Sequence, residues 1–327
     1  MPARSFPVRL SQRPRILVVA LALALIITLL PVAAASADAA EGARPLDLTN
    51  SPDDNVRALR KLQCHLTDGK PAIYTWNGSA YSRVAGERDR LLFDYEGYNI
   101  RACVTLDDPD GTRGYGYKMV SKEILLYLDP ATGEVMRTWT NPWTDQTHDV
   151  IHVANDPVNM RGLYARSSRG DFRLGATIHE GKGWFSFQVP LFYENPLGGP
   201  YQPYVGGTYH AMEMFSFFFD ADELVDPTTD GLDDTFVGWA RMSRWLPWMQ
   251  MGDRAGWMIF SGAGKRVRTW DELPKVLRDE VARAYPGFDA PPPLDDERPN
   301  ETSWTYLKKR IDAERATEPD GADASGH

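Results

Sequence analysis

Hydrophobic and polar positions alternate along this chain in short runs, and long amphipathic stretches are few. Between residues 71 and 142 the runs "PAIYTW", "SAYSRV", "RLLFDYEGYNIRACVTL", "GYGYKMVSKEILLYL" and "EVMRTWTNP" follow one another, rich in β-branched and aromatic residues. Period-two alternation of this kind predicts half-buried β-strands. The rhythm continues through "DVIHVAN", "FRLGATI", "WFSFQVPLFY", "TYHAMEMFSFFFD", "TFVGWARMS" and "GWMIFSG". Turn chemistry punctuates it. Asn77-Gly78 reads as a tight hairpin, because both residues tolerate positive φ. Asp129-Pro130-Ala131-Thr132-Gly133 reads as a turn at every position, and Gly97 as a break between two strands. No helices of the βαβ kind intervene, so the expected fold is mainly β, an antiparallel barrel or sandwich, with the barrel preferred.

Helical spacing is confined to the ends. "NSPDDNVRALRKL" predicts a first helix, with Asn50, Ser51 or Asp53 as cap, Pro52 in the first turn and Val56, Leu59 and Leu62 on one face. "TWDELPKVLRDEVARAY" predicts a second, burying Leu273, Val276, Leu277, Val281 and Ala284. A proline-rich connector over 286–300 leads to a last helix in "ETSWTYLKKRIDAER". The domain organisation expected is a cleaved segment over 1–37, one β-rich domain over 38–316 and a disordered tail over 317–327.

Residues 1–37 carry the export pattern. Arg4, Arg9, Arg13 and Arg15 precede an apolar run from Ile16 to Leu30, and Ala35-Ser36-Ala37 supplies small residues for cleavage. The run is short for a permanent span. The expected location is therefore periplasmic or extracellular, with no stable membrane span after cleavage. The whole chain has a net charge of −9, and cleavage removes four arginines and no acids. An acidic protein of this kind is a poor partner for nucleic acid or an anionic membrane. Cys64 and Cys103 are the only cysteines. Each lies in a strand-like run, so a disulfide between neighbouring strands and a pair of buried free thiols are both open.

Candidate chemistry concentrates in three places. In "HDVIHVANDPVN" (148–159), a continuous strand would put His148, Val150, His152 and Ala154 on one face. The two histidines would then stand roughly 13 Å apart, too far to share one metal ion. Asn155-Asp156-Pro157 is explained by turn chemistry alone, yet His152 beside Asp156 also has the makings of a general base and its orienting partner. In "PLGGPYQPYVGGTYHAMEMFSFFFD" a long loop studded with Tyr201, Tyr204 and Tyr209 precedes His210 and Glu213. Alternation places His210, Met212, Met214 and Ser216 on one face and Glu213 with Phe215, Phe217 and Phe219 on the other. A carboxylate on an aromatic face is either ion-paired or has a raised pKa, which is how a catalytic acid is made. In "RMSRWLPWMQMGDRAGWMIFSG", Trp245, Trp248, Trp257 and four methionines suit a hydrophobic pocket or an ordinary core. Arg241, Arg244 and Arg254 are set for ion pairs or for clamping an anion.

No G-x-S-x-G, H-E-x-x-H, C-x-x-C, P-loop or dinucleotide fingerprint occurs, so no cofactor is called for. The phrases "DLTNSPDDNVRALRKLQC", "IHVANDPVN", "FYENPLGG" and "YHAMEMFSFFFD" are distinctive. Through them nearly the whole mature chain resembles a bacterial family of exported proteins known as a domain of unknown function. That resemblance implies one domain and carries no activity. The strand rhythm is also similar to that of the lipocalin-like barrels, an analogy of fold alone.

The function expected is the handling of a small apolar or aromatic molecule in a barrel cavity by cofactor-independent acid–base chemistry, of the lyase, isomerase or hydrolase kind. His152 would be the base, Asp156 its orienting partner, and His210 or Glu213 the complementary acid. Tyr204, Tyr209, Met212, Trp245 and Trp248 would shape the binding surface. A non-catalytic carrier is the rival. A metal-dependent enzyme using His152, His210 and Glu213 is the third alternative.

Overall fold

The computed structural model describes residues 44–194, 197–201 and 207–317. The export segment expected over 1–37, Tyr204 and the tail beyond Thr317 lie outside the described residues.

Ten strands form one antiparallel sheet. In chain order the strands of the protein are β1 (Ala72–Arg83), β2 (Arg90–Thr105), β3 (Gly116–Leu128), β4 (Thr138–Thr140), β5 (Thr147–Asp149), β6 (Val153–Asn155), β7 (Met160–Tyr164), β8 (Arg166–Ser167), β9 (Gly170–Asp171), β10 (Thr177–His179), β11 (Lys182–Glu194), β12 (Thr208–Asp220), β13 (Phe236–Ser243) and β14 (Trp257–Val267). The large sheet runs β10-β11-β12-β13-β14-β1-β2-β3-β6, with β7 also on β3, while β4–β5 and β8–β9 are separate ribbons. The mainly antiparallel β prediction holds, but the barrel does not. Among the described residues no sheet closes, and the ends of the path are the three-residue strands β10 and β6.

Alternation explains which face is which. On β12, Tyr209, Ala211, Phe217 and Phe219 are buried whereas His210, Met212 and Phe218 are exposed, the partition the sequence predicts. The Asn77-Gly78 hairpin is absent: both residues lie inside the continuous strand β1, where Gly78 pairs with Gly262 of β14 and Tyr95 of β2. A Cβ on Gly78 would stand 2.2 Å from the Ser261 carbonyl oxygen and 2.5 Å from the Tyr95 hydroxyl. The glycine is there for close backbone approach, which competes with turn formation as a reason for the same residue. Gly97 likewise lies within the single strand β2. The predicted strand over 148–154 is broken into β5 and β6, so His148 and His152 share no strand.

Helix α1 (Pro52–Gln63) begins as expected, with the Ser51 hydroxyl accepting from the Asp54 N–H and Pro52 in the first turn. Its end differs. Cys64 caps the helix instead of lying in a strand, and it is disulfide-bonded to Cys103 of β2. Helices α2 (Ala221–Val225), α3 (Lys275–Ala284) and α4 (Ser303–Thr317) follow. Pro274 delays α3, which starts at Lys275 and not near Thr269, because proline cannot donate inside a helix.

The curled sheet is plugged at two ends and backed on one side. Val56, Leu59 and Leu62 of α1 pack with Tyr74, Cys103 and Phe217. Trp245, Trp248 and Met249 pack with Phe93, Tyr127 and Phe260. Leu277 and Val281 of α3 cover Tyr98, Ile100 and Ile124 on the outer face, each worth about 1.5–3 kcal/mol of burial. No helix among the described residues is long and apolar enough to cross a membrane.

Candidate functional site

Between the two plugging clusters the inner face of the sheet encloses a cavity of about 170 Å³. Its location follows from register. Strands β12 and β3 are five places apart in the sheet order, yet the curl brings Glu213 and Glu123 to the same space. Gly264 on β14, between them, allows the bend: a Cβ there would stand 2.0 Å from the Thr75 carbonyl oxygen. The cavity walls are aromatic, formed by Tyr74 and Trp76 from β1, Phe215 and Phe217 from β12, and Trp239 from β13.

One side of the cavity is polar and ionisable. Asn99 on β2 stands opposite Glu123 on β3, which stands opposite Asn155 on β6, so three polar residues cross three strands in one row. The Asn155 amide donates to Glu123 Oε1 at 2.6 Å. Glu123 Oε2 has no hydrogen-bond partner among the described residues. Burial raises the pKa of Glu123 above its ordinary value; the Asn155 hydrogen bond and the charges of Arg241 and Arg101 oppose the shift, and the charge of Glu213 reinforces it.

Glu213 is handled differently. Arg241, opposite it on β13, donates from Nη1 to Glu213 Oε1 at 2.7 Å and from Nη2 to the Tyr209 hydroxyl at 2.6 Å. Burial works against the Arg241 charge, but Tyr209 and Glu213 together hold its pKa above the ordinary value. The second arginine of the cavity, Arg101 on β2, has no such partner. Its Nε donates to Asn99 Oδ1 at 2.6 Å, and its guanidinium lies 5.1 Å from the centre of the Tyr74 ring. Neither Nη has a hydrogen-bond acceptor, and no carboxylate lies within ion-pair distance, among the described residues.

The residues anticipated from sequence divide sharply. Glu213 faces the cavity, with Tyr209 alongside through Arg241. His152 is only 5% exposed and packs against Tyr127 away from the cavity's polar side. Its Nδ1 accepts from the Tyr127 N–H at 3.1 Å and its Nε2 lies 3.0 Å from the Met136 carbonyl oxygen. Both ring nitrogens are therefore committed to backbone, and burial pushes the pKa down to about 4. That placement corrects the expectation that His152 reaches a substrate. Asp156 does not orient it; it pairs with Arg298 at 2.6 Å and Lys122 at 3.3 Å. His210 stands on the outer face of β12 with its ring against Phe192, and Met212 is exposed on the same face. Trp245 and Trp248 are buried core residues outside the cavity lining. His152, His210 and Glu213 thus form no ligand set, and no group of three or more metal-ligating side chains occurs among the described residues.

Sequence reasoning missed Glu123, Arg101 and Asn99. The signal was present: in "SKEILLY", Glu123 alternates with Ser121, Leu125 and Tyr127, and in "NIRAC", Asn99 and Arg101 share the face of the buried Cys103. These are polar residues at inward positions of apolar strands, the same oddity that singled out Glu213.

Every cavity residue named here falls within residues 69–311, which match the family described as protein of unknown function DUF1838. The chain belongs to this family. No curated protein and no solved structure matches it, so the likeness to lipocalins gains no support from structural neighbours.

Proposed function

We propose that the protein is exported and binds a small, largely aromatic molecule in the cavity of its curled sheet, where Glu123 exchanges a proton with it. The observation that carries this reading is the state of Glu123: a carboxyl group with one oxygen fixed by Asn155, the other unpartnered, and a raised pKa, set among aromatic walls. A carboxyl group whose pKa is raised by burial and whose second oxygen is free is suited to exchange a proton with a bound molecule. The Glu213–Arg241 pair supplies a fixed dipole nearby, and the acid–base role passes from His152 to Glu123. The reaction class stays one that needs only proton transfer, a lyase, isomerase or hydrolase step.

The rival carrier reading draws on a specific observation as well: no histidine reaches the cavity, and Glu213 is ion-paired. One pair of measurements separates the two. Native mass spectra of the protein from the exported fraction are expected to retain an organic mass, and that compound is then incubated with the wild type and with Glu123→Gln. Turnover lost in Glu123→Gln, with affinity kept within a few-fold, is the expected result. A compound that binds both proteins and is altered by neither establishes the carrier. A bare polypeptide mass together with no binding of small aromatic molecules removes the cavity reading.

A further inference from the structure

Arg101 is the feature of the cavity that acid–base chemistry at Glu123 leaves unused. It is an arginine on the inner face of a central strand, beside Tyr74 and Asn99, with one hydrogen bond and two unengaged Nη groups. Elsewhere in the molecule, buried cations are matched: Lys61 donates to the carbonyl oxygens of Glu223, Leu224 and Asp226, and Arg266 to those of Lys61 and Leu232. Glu123 of the same cavity acts on the Arg101 charge only from beyond ion-pair distance, and a guanidinium in an aromatic cavity without a contacting carboxylate is costly unless something else supplies one.

We propose that Arg101 is the anchor for a planar carboxylate, and that the ligand of the cavity is a monocyclic aromatic acid. This rests on the cavity reading above and narrows its substrate class. The two free Nη groups present parallel N–H donors, the geometry that a carboxylate engages with both oxygens. A cavity of about 170 Å³ has room for about one aromatic ring with a short acidic arm. Tyr74, Trp76, Phe215 and Trp239 offer ring faces and edges to that body. Other charges in the cavity permit an anion. Glu213 is neutralised by Arg241, and burial biases Glu123 towards its uncharged form. The bound acid would lie between a cation and a proton donor.

Titration calorimetry of the full mature chain with benzoate and phenylacetate, set against the neutral isosteres benzamide and phenylacetamide, tests this without any variant. The acids are expected to bind about 10- to 100-fold more tightly than the amides, the span that charge-assisted hydrogen bonds confer. In Arg101→Met that preference should vanish, leaving both series at the affinity of the amides, and Arg101→Lys should restore part of it. Equal binding of acids and amides by the wild type overturns the carboxylate anchor while leaving the aromatic cavity standing. Retention of the acid preference in Arg101→Met overturns the assignment to this residue. Absence of binding by all four compounds overturns the inference and the cavity reading together.

Discussion

Two arginines 41 positions apart, Arg60 fully buried and Arg101 half-buried in the cavity wall, behave in opposite ways. Arg60, near the end of α1, is fully buried; its Nε donates to the His65 carbonyl oxygen, Nη1 to Thr105 and Tyr115, and Nη2 to Asp68 at 2.6 Å. Arg101, on the strand that also carries Thr105, has a single hydrogen bond and an open cavity in front of it. Folding takes water from both charges, wholly at Arg60 and in part at Arg101. Only Arg60 recovers the cost from the protein itself. A buried charge with a full set of partners is part of the frame, and a half-buried one with spare donors is free to take a partner from outside the chain. His152 belongs with Arg60 by this criterion, and Glu123 with Arg101.

The contrast can be broken by substitution. Arg60→Met should lose about 2–4 kcal/mol of stability, because it removes the donors to the His65 carbonyl, Thr105, Tyr115 and Asp68 at a fully buried position, while Asp68 keeps its bonds from Thr105. A denaturation midpoint near that of the wild type would make the difference between the two arginines illusory. The next effect is a pH dependence from His152. Burial holds its folded pKa down to about 4, below the ordinary value of 6.5 that it regains in the unfolded chain. The unfolded state therefore takes up a proton first on acidification. The stability contributed by keeping this histidine neutral is complete above about pH 6.5 and falls as the pH drops towards 4, by up to about 3 kcal/mol. His152→Gln should flatten that part of the stability profile, and an unchanged slope would show that His152 does not set it. The smallest effect is expected at Arg101. Without ligand, Arg101→Met should stay within about 1 kcal/mol of the wild type or exceed it, since it removes a partly desolvated charge in exchange for one hydrogen bond and one ring contact. A loss as large as that at Arg60 would mean that Arg101 is also part of the frame.

The strands were legible from sequence because alternation survives in them: the inward and outward sets of β12 are those that period two assigns. What misled was chemistry with two uses. Asn77-Gly78 has the composition of a hairpin, but the sheet spends Gly78 on a close crossing with Ser261 that no local pattern reveals. The histidines drew attention because few other residues titrate near neutrality, yet His152 is consumed by two backbone groups from Tyr127 and Met136 that only the tertiary structure brings near. Glu213 was identified on its aromatic face, and so was its ion-paired alternative. Glu123 was overlooked because its run reads as a plain buried strand, and its importance arises from Asn155 and Glu213, which the curl of the sheet supplies. Closure of that sheet into a barrel was beyond sequence rhythm altogether, since it depends on which strands meet at the two ends of the sheet.

The adjacency of β1 and β14 at the middle of the sheet has a consequence in time. Ile73 pairs with Val267, so the earliest strand waits for the last one before its second edge is satisfied. The cavity, which draws Trp76 and Arg101 from the early strands and Glu213, Trp239 and Arg241 from the late ones, cannot exist on a partly synthesised chain. Sheets whose neighbouring strands come from such distant segments assemble slowly. The residues that line the cavity therefore come together only once both the early and the late strands have been made.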